Sequence, residues 1–316
     1  MMIRTINKIS TVNMSHEDWL EFRRKSLGGS DASAIIGLNS WSSPYTVWAE
    51  KLGKLPPKED SEPMRLGRDL EDYVAKRFTE ATGKKVRREN SILYNLNYPF
   101  AHANVDRMVV GEDAGLECKT TSVLNMKSFK NGAFPDNYYV QCVHYMMVTG
   151  CKKWYLAVLV LGKEFLWFEI ERDEDEIKAL AESEEAFWKL VKSNTPPAVD
   201  GTESTTKTIN AIFPKSISED AVNLFAYESD LVKYMALGEQ IKTLKAQQDE
   251  LANKVKSFMN EAGKGESDHF KVSWTSSDRS TFDAKKFASD HKDMDLSNYY
   301  KTTQTRTFRV NEKKEK

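Results

Sequence analysis

The sequence predicts an α/β chain with a helical extension: a mixed sheet flanked by helices over residues 1–195, a linker at 196–208, and a C-terminal extension over 209–316. Three observations predict it. Strand-like text dominates from Val86 to Thr121 and returns from Lys153 to Val160 and Glu164 to Ile170. Helical periodicity brackets that text, with Leu66, Leu70, Val74 and Phe78 recurring every four residues ahead of it. Past the polar stretch Pro196 to Thr208, Leu237, Ile241, Leu244, Leu251, Val255 and Phe258 alternate by threes and fours around Gln248, as in a coiled-coil seam. A helix-sheet-helix order of this kind belongs to α+β or α/β domains.

Local signals justify the elements in turn. Ser15-His16-Glu17-Asp18 resembles a capping box opening a helix through Trp19, Leu20 and Phe22 to about Lys25. Gly28-Gly29 breaks it, and Ser30-Asp31 caps a second short helix through Ile35-Ile36. Ser43-Pro44 opens a third, with Pro at its first position, ending near Gly53. Pro56-Pro57 and an acidic run form a loop before the amphipathic helix, which Gly83 stops. Turns are expected at Asn95-Leu96-Asn97 and Gly111-Glu112-Asp113, a helix from about Pro135 to Thr149, and a hairpin turning at Gly162-Lys163. An acidic helix runs from Asp173 to about Lys192. In the extension, Gly263 and Gly265 end the long helix, a short strand follows at Phe270 to Trp274, and residues 311–316 read as a charged tail.

Composition narrows the function classes. With 316 residues, 40% apolar and 29% charged, the chain reads as an ordinary soluble protein with room for two domains. The first twenty residues lack a continuous apolar region, so no secretory signal is expected. The apolar run Trp154 to Leu161 is too short to cross a bilayer and suits a buried strand. Three cysteines without C-x-x-C spacing indicate neither a disulfide framework nor a zinc ribbon, and a cytoplasmic setting is expected. A net charge of −1 argues against indiscriminate coating of nucleic acid, but a groove can confine basic surface. Lys84-Lys85, Arg87-Arg88, Lys127 and Lys130 are candidates for such a patch, or for a plain solvated face.

The candidate chemistry lies in Asn104-Val105-Asp106 and Gly115-Leu116-Glu117-Cys118-Lys119. A carboxylate two residues before a Lys occurs five times, also at Glu176/Lys178, Asp283/Lys285, Asp290/Lys292 and Glu312/Lys314. Only Glu117/Lys119 lies in strand-like text, where period two puts both side chains on one face. A hairpin can bring Asp106 beside them. Two carboxylates hold a hard divalent cation such as Mg²⁺, and a Lys can orient water, which is the equipment of metal-assisted phosphodiester hydrolysis. The alternative is an exposed ion-pair cluster. Glu71 borders the apolar row of the amphipathic helix, as a fourth member or as a rim carboxylate satisfied by Arg68 or Lys76. Gln141 and Tyr145 share a helix face four residues apart, while Cys142 and His144 lack partners at zinc-ligand spacing. Trp19, Arg23 and Gly28-Gly29-Ser30 form a second constellation, in which free N–H groups before a helix and an Arg fork suit a phosphate; a plain capped helix with a surface Arg is the alternative.

Together these segments resemble the YqaJ-like viral recombinase family, relatives of phage lambda exonuclease within the PD-(D/E)XK nuclease superfamily. The matching text is Trp19-x-x-x-Arg23, Gly28-Gly29-Ser30-Asp31-Ala32-Ser33, Leu66-Gly67-Arg68-x-x-Glu71, Asn104-Val105-Asp106, Leu116-Glu117-Cys118-Lys119 and Gln141-x-x-x-Tyr145. The resemblance implies a restriction-endonuclease-like core and exonuclease activity on double-stranded DNA. It implies Mg²⁺, or Mn²⁺, on Asp106, Glu117 and the main-chain carbonyl of Cys118, with Glu71 assisting. Lys119 would position the water and Gln141 would support the site. Arg23 and Ser30 would hold a terminal 5′-phosphate, setting 5′→3′ polarity and leaving 3′ overhangs for a single-strand annealing recombinase. A homo-oligomer, a trimer, is implied as well, although the region after about residue 208 has no counterpart in lambda exonuclease. Three scattered cysteines argue against the iron–sulfur cluster of some relatives. The rival readings are an endonuclease with the same metal site and a non-catalytic DNA-end-binding scaffold.

Overall fold

In the computed structural model, which describes residues 6–56, 60–218, 220–302 and 305–313, the chain opens with a strand that the polar sequence does not announce. This β1 (Ile6–Ser10) precedes three helices: α1 (His16–Arg24), α2 (Gly29–Ile35) and α3 (Pro44–Lys51). Ser15 caps α1 by accepting from the Asp18 N–H, and Ser43 caps α3, with Pro44 following. Of the Pro56-Pro57 loop, Pro57 falls outside the described residues, as does Lys314 of the Glu312/Lys314 pair. The amphipathic helix α4 (Glu62–Thr82) stops at Gly83, whose φ of 72° is left-handed.

The strand-like text divides into β2 (Val86–Arg88), β3 (Ser91–Asn95), β4 (His102–Asn104), β5 (Arg107–Val109) and β6 (Ala114–Thr121). After a 3₁₀ stretch, Val123–Gly132, come α5 (Asp136–Thr149), β7 (Lys153–Val160), β8 (Glu164–Glu171) and α6 (Glu174–Lys192). The central sheet has the order β2-β5-β6-β7-β8 and is mixed: β6 and β7 are parallel, joined through α5, and the other pairs are antiparallel. A second, antiparallel sheet has the order β1-β3-β4.

β7 shows how the core is divided. Trp154, Leu156, Val158 and Val160 enter the cluster that holds α5 and α6, whereas Tyr155 and Ala157 join Val74, Phe78 and Leu116 beneath α4. Burial on both faces explains why this strand reads as one continuous apolar run.

This first compact unit reaches Phe213, and a second begins at Pro214. The boundary therefore falls beyond the 196–208 linker expected from sequence, because α7 (Glu203–Ile212) packs on α3. The contact is made of hydroxyls: Thr205 Oγ1 donates to Ser43 Oγ at 2.7 Å, and Thr46 Oγ1 lies 2.8 Å from Thr208 Oγ1. Polar composition concealed a buried interface. The second unit contains α8 (Glu228–Met259), a hairpin of β9 (Lys264–Glu266) and β10 (Lys271–Ser273), and α9 (Ala284–Asp290). No helix among the described residues is long and apolar enough to cross a membrane.

Candidate active site

β6 lies in the middle of the central sheet, paired with β7 from Ala114↔Lys153 to Thr121↔Val160. Alternation along it sends Ala114 and Leu116 under α4 and leaves Glu117 and Lys119 on the opposite face, toward α5. The Lys119 ammonium is held from three sides. Its Nζ lies 2.6 Å from Glu117 Oε1, donates to Gln141 Oε1 at 2.8 Å, and stands 5.3 Å from the centroid of the Tyr138 ring. Gln141 Nε2 donates in turn to Tyr145 Oη at 2.7 Å. Burial works against the ammonium, but the Glu117 carboxylate outweighs it and raises the Lys119 pKa, so Lys119 stays charged near neutrality.

Asp106 sits in the short connection where the chain passes from β4 in the small sheet to β5 in the central one. Its Oδ2 accepts the Cys118 N–H at 2.8 Å. Burial, and then the neighbouring Glu117 and Glu71 carboxylates, hold the Asp106 carboxyl well above the usual carboxylate range. Glu117 is only 2% exposed, and its Oε2 is buried with no hydrogen-bond partner among the described residues. Two desolvated carboxylates with an orphaned oxygen are short of positive charge, which fits a hard divalent cation. The Cys118 N–H and C=O point to the same strand edge, and β5 last pairs with β6 at Leu116. That carbonyl therefore lies past the end of the ladder on the Asp106 side. Among the described residues no three His, Cys, Asp or Glu side chains are grouped to hold an ion by themselves. A bound Mg²⁺ would draw its remaining ligands from backbone, water and substrate phosphate, as that ion commonly does.

Glu71 reaches this corner from α4 but faces Arg107. Arg107 Nη1 donates to Glu71 Oε1 and, at 2.6 Å, to the Asp106 carbonyl, while Nη2 reaches Asp72 Oδ1 at 2.6 Å. The sequence pointed to Arg68 or Lys76 as partners; these pair with Asp60 and Glu80 instead. Glu71 is thus the counter-ion of a buried guanidinium as well as a carboxylate neighbour of Asp106.

The N-terminal block is assembled as well. Arg23 Nη2 donates to Ser30 Oγ at 2.8 Å, and its guanidinium lies 4.8 Å from the Trp19 ring centroid. The Gly28 N–H, expected to be free for an anion, donates instead to Asp31 Oδ2 at 2.8 Å. Asp31 is buried against Lys51, 2.6 Å away, and Lys51 also donates to the Arg23 carbonyl at 2.7 Å. Burial opposes ionisation of Asp31, but Lys51 and Arg23 overcome it and keep its pKa below the usual range. Gly29 joins the two blocks: a Cβ there would lie 2.7 Å from Tyr145 Cε1 and 3.0 Å from Gln141 Cγ. Only glycine lets α2 approach α5 so closely.

All ten residues singled out from sequence lie in these two adjoining clusters. Tyr138, Arg107, Asp31 and Lys51 were missed as members. Tyr138 stands three residues before Gln141, so its helical spacing was the available signal. Of the candidate basic patch, Lys84, Arg87 and Arg88 are paired with Glu112, Glu89 and Asp72.

Residues 18–152 match the family profile of the YqaJ-like viral recombinase domain. The chain is 39% identical over 304 residues to the protein YqaJ of Bacillus subtilis (strain 168), covering 95% of each. Among solved structures it is similar to the alkaline exonuclease LHK-Exo from Laribacter hongkongensis in complex with dAMP, at 18% identity and a TM-score of 0.49, over 57% of this chain and 94% of that one. A putative exonuclease from Eubacterium rectale is similar at 11% identity and a TM-score of 0.44, over 69% of this chain and 98% of that one. With the profile match and a full-length relative at this identity, the chain belongs to the YqaJ-like viral recombinase family.

Proposed function

We propose that the protein is a Mg²⁺-dependent 5′→3′ exonuclease on linear double-stranded DNA, whose 3′ single-stranded product serves recombination by single-strand annealing. The observation that carries this reading is the buried Asp106–Glu117 pair with its orphaned oxygen, set beside a charged Lys119 that Gln141 fixes in place. Asp106, Glu117 and the Cys118 carbonyl would hold the cation, with Mn²⁺ as a substitute. When bound, the cation supplies Lewis-acid polarisation of the scissile phosphate.

The chain's own groups carry the rest. Lys119 orients the attacking water and, as an ammonium, offsets negative charge on the phosphoryl oxygens. Gln141 and Tyr138 hold the ammonium where Glu117 alone would leave it free to swing. Arg23 and Ser30 offer adjacent donors to a terminal 5′-phosphate, with the Trp19 ring backing the guanidinium. Through Gly29 that pocket adjoins Gln141 and Tyr145, which supports attack from the 5′ end. The family's description as viral recombinases agrees with a role in recombination.

The test is degradation of end-labelled linear duplex bearing 5′-phosphate or 5′-hydroxyl ends, with Mg²⁺ or EDTA. Mononucleotides released from phosphorylated 5′ ends only with Mg²⁺ support the reading. Cutting of a covalently closed circular duplex points to an endonuclease, and end binding without product points to a scaffold; either result overturns it.

A further inference from the structure

α8 carries a heptad seam that the described residues of its own unit leave exposed. Ile241, Gln248 and Val255 stand seven residues apart, and each is followed three residues later by Leu244, Leu251 or Phe258. The apolar members are exposed, from 45% at Val255 to 91% at Phe258. One heptad earlier, at Tyr234, the seam is already occupied: Phe308 of the same unit stacks edge-on, with centroids 5.5 Å apart. The open part therefore starts at Leu237 and runs about 33 Å to the helix end.

We propose that this seam is covered by the same helix of a second copy of the chain, parallel and in register, as a two-stranded coiled coil. The side chains select that occupant. β-Branched Ile241 and Val255 at the first core position, alternating with Leu244 and Leu251 at the second, is the arrangement that favours two parallel strands over three or four. Gln248 selects the register. Its amide both donates and accepts, so it is satisfied by the Gln248 of an identical strand directly across the axis. In an antiparallel pairing, where the two kinds of core position face one another, or after a one-heptad slip, each Gln248 would be buried against an apolar side chain and left unpaired. The flanks place no obstacle: Gln240 would face Lys245, and Gln247 would face Ala252, so no like charges oppose each other.

The test uses the full chain. Sedimentation velocity is expected to give twice the mass of one chain. Gln248→Cys is expected to form an intermolecular disulfide on oxidation in most molecules, while Ala246→Cys, on the outer face of the helix, stays at the wild-type level. Leu244→Lys combined with Leu251→Lys, at positions already exposed, is expected to return the mass to one chain with the far-UV circular dichroism retained. A wild-type mass of one chain or of three overturns the proposal. So does equal crosslinking at both positions, or a double variant that remains a dimer.

Discussion

Gly29 and Tyr145 touch so closely that a single β-carbon on Gly29 would lie 2.7 Å from the Tyr145 ring. This contact is the hinge between the proposed end-recognition pair, Arg23 and Ser30, and the hydrogen-bonded row Tyr145–Gln141–Lys119. Gly29→Ala is expected to push α2 away from α5. The stability cost should be about 1–3 kcal/mol, as for other overpacked sites. Catalysis should fall roughly tenfold or more, as for small misplacements of substrate, and mainly on 5′-phosphorylated ends. Urea unfolding, together with initial rates on phosphorylated and hydroxyl-ended duplex, checks both. Equal loss on the two substrates would remove Gly29 from the recognition argument.

Asp106 and Glu117 repel one another where no cation is bound. Asp106→Asn is therefore expected to raise the thermal midpoint in EDTA while abolishing cleavage. Mg²⁺ at a hundredfold excess over its Kd should stabilise the wild type by about 2.7 kcal/mol and leave the variant unmoved. Differential scanning fluorimetry with and without Mg²⁺ reads this, and an equal shift in both proteins would count against the ion pocket.

Lys119→Ala removes the one ammonium among the groups that Glu117 and Gln141 hold together. Single-turnover cleavage should fall about 10²–10³-fold, the usual effect of losing a preorganised charge-stabilising donor, with DNA-end binding retained. Gln141→Ala should cost less, because Glu117 and Tyr138 still restrain the ammonium. If Gln141→Ala proved the more damaging, Gln141 would touch substrate directly.

A second buried pair should control the pH profile of stability. His144 Nδ1 lies 2.7 Å from Glu184 Oε1 and Nε2 lies 2.8 Å from the His102 carbonyl, with both side chains of the pair fully buried. Burial opposes the imidazolium, but Glu184 outweighs it and raises the His144 pKa. A folded-state pKa above the unfolded value of about 6.5 gives stability that is complete below that value. It is lost as pH rises through the raised pKa. His102 has the opposite sign: burial and then Lys51 lower its pKa, so it costs stability as pH falls below the unfolded value. Glu184→Gln should destabilise by about 3 kcal/mol at neutral pH and flatten the alkaline limb, which denaturant titrations across pH would show. An unchanged limb would assign it to other groups.

What the sequence revealed follows from how each feature is encoded. Glu117 with Lys119, and Gln141 with Tyr145, were legible because period two and a four-residue step fix which side chains share a face. Arg23 and Gly28-Gly29-Ser30 were legible as a phosphate-binding constellation from an Arg and a helix start close in sequence, whereas their assignment to a terminal 5′-phosphate came only through the family resemblance. The position of Asp106 between two sheets, and of Arg107 as the buried partner of Glu71, depends on long-range pairing that no local pattern carries. β1 and α7 escaped for another reason. β1 is a largely polar edge strand, and α7 is anchored through hydroxyls, so neither shows the apolar periodicity by which elements are read.

The two adjoining clusters also differ in how firmly the chain holds them. Glu117 and Lys119 ride on a strand with all eight of its residues paired to β7 and part of its other edge paired to β5. α1, which carries Trp19 and Arg23, has no buried residue. Amide exchange should accordingly separate the two: protons of β6 exchanging only through global unfolding, those of α1 through cheap local opening. Hydrolysis would then run on a fixed anvil while the grip on the DNA end loosens and re-forms, which is what a nuclease needs if it is to advance by one nucleotide without letting its chemistry drift.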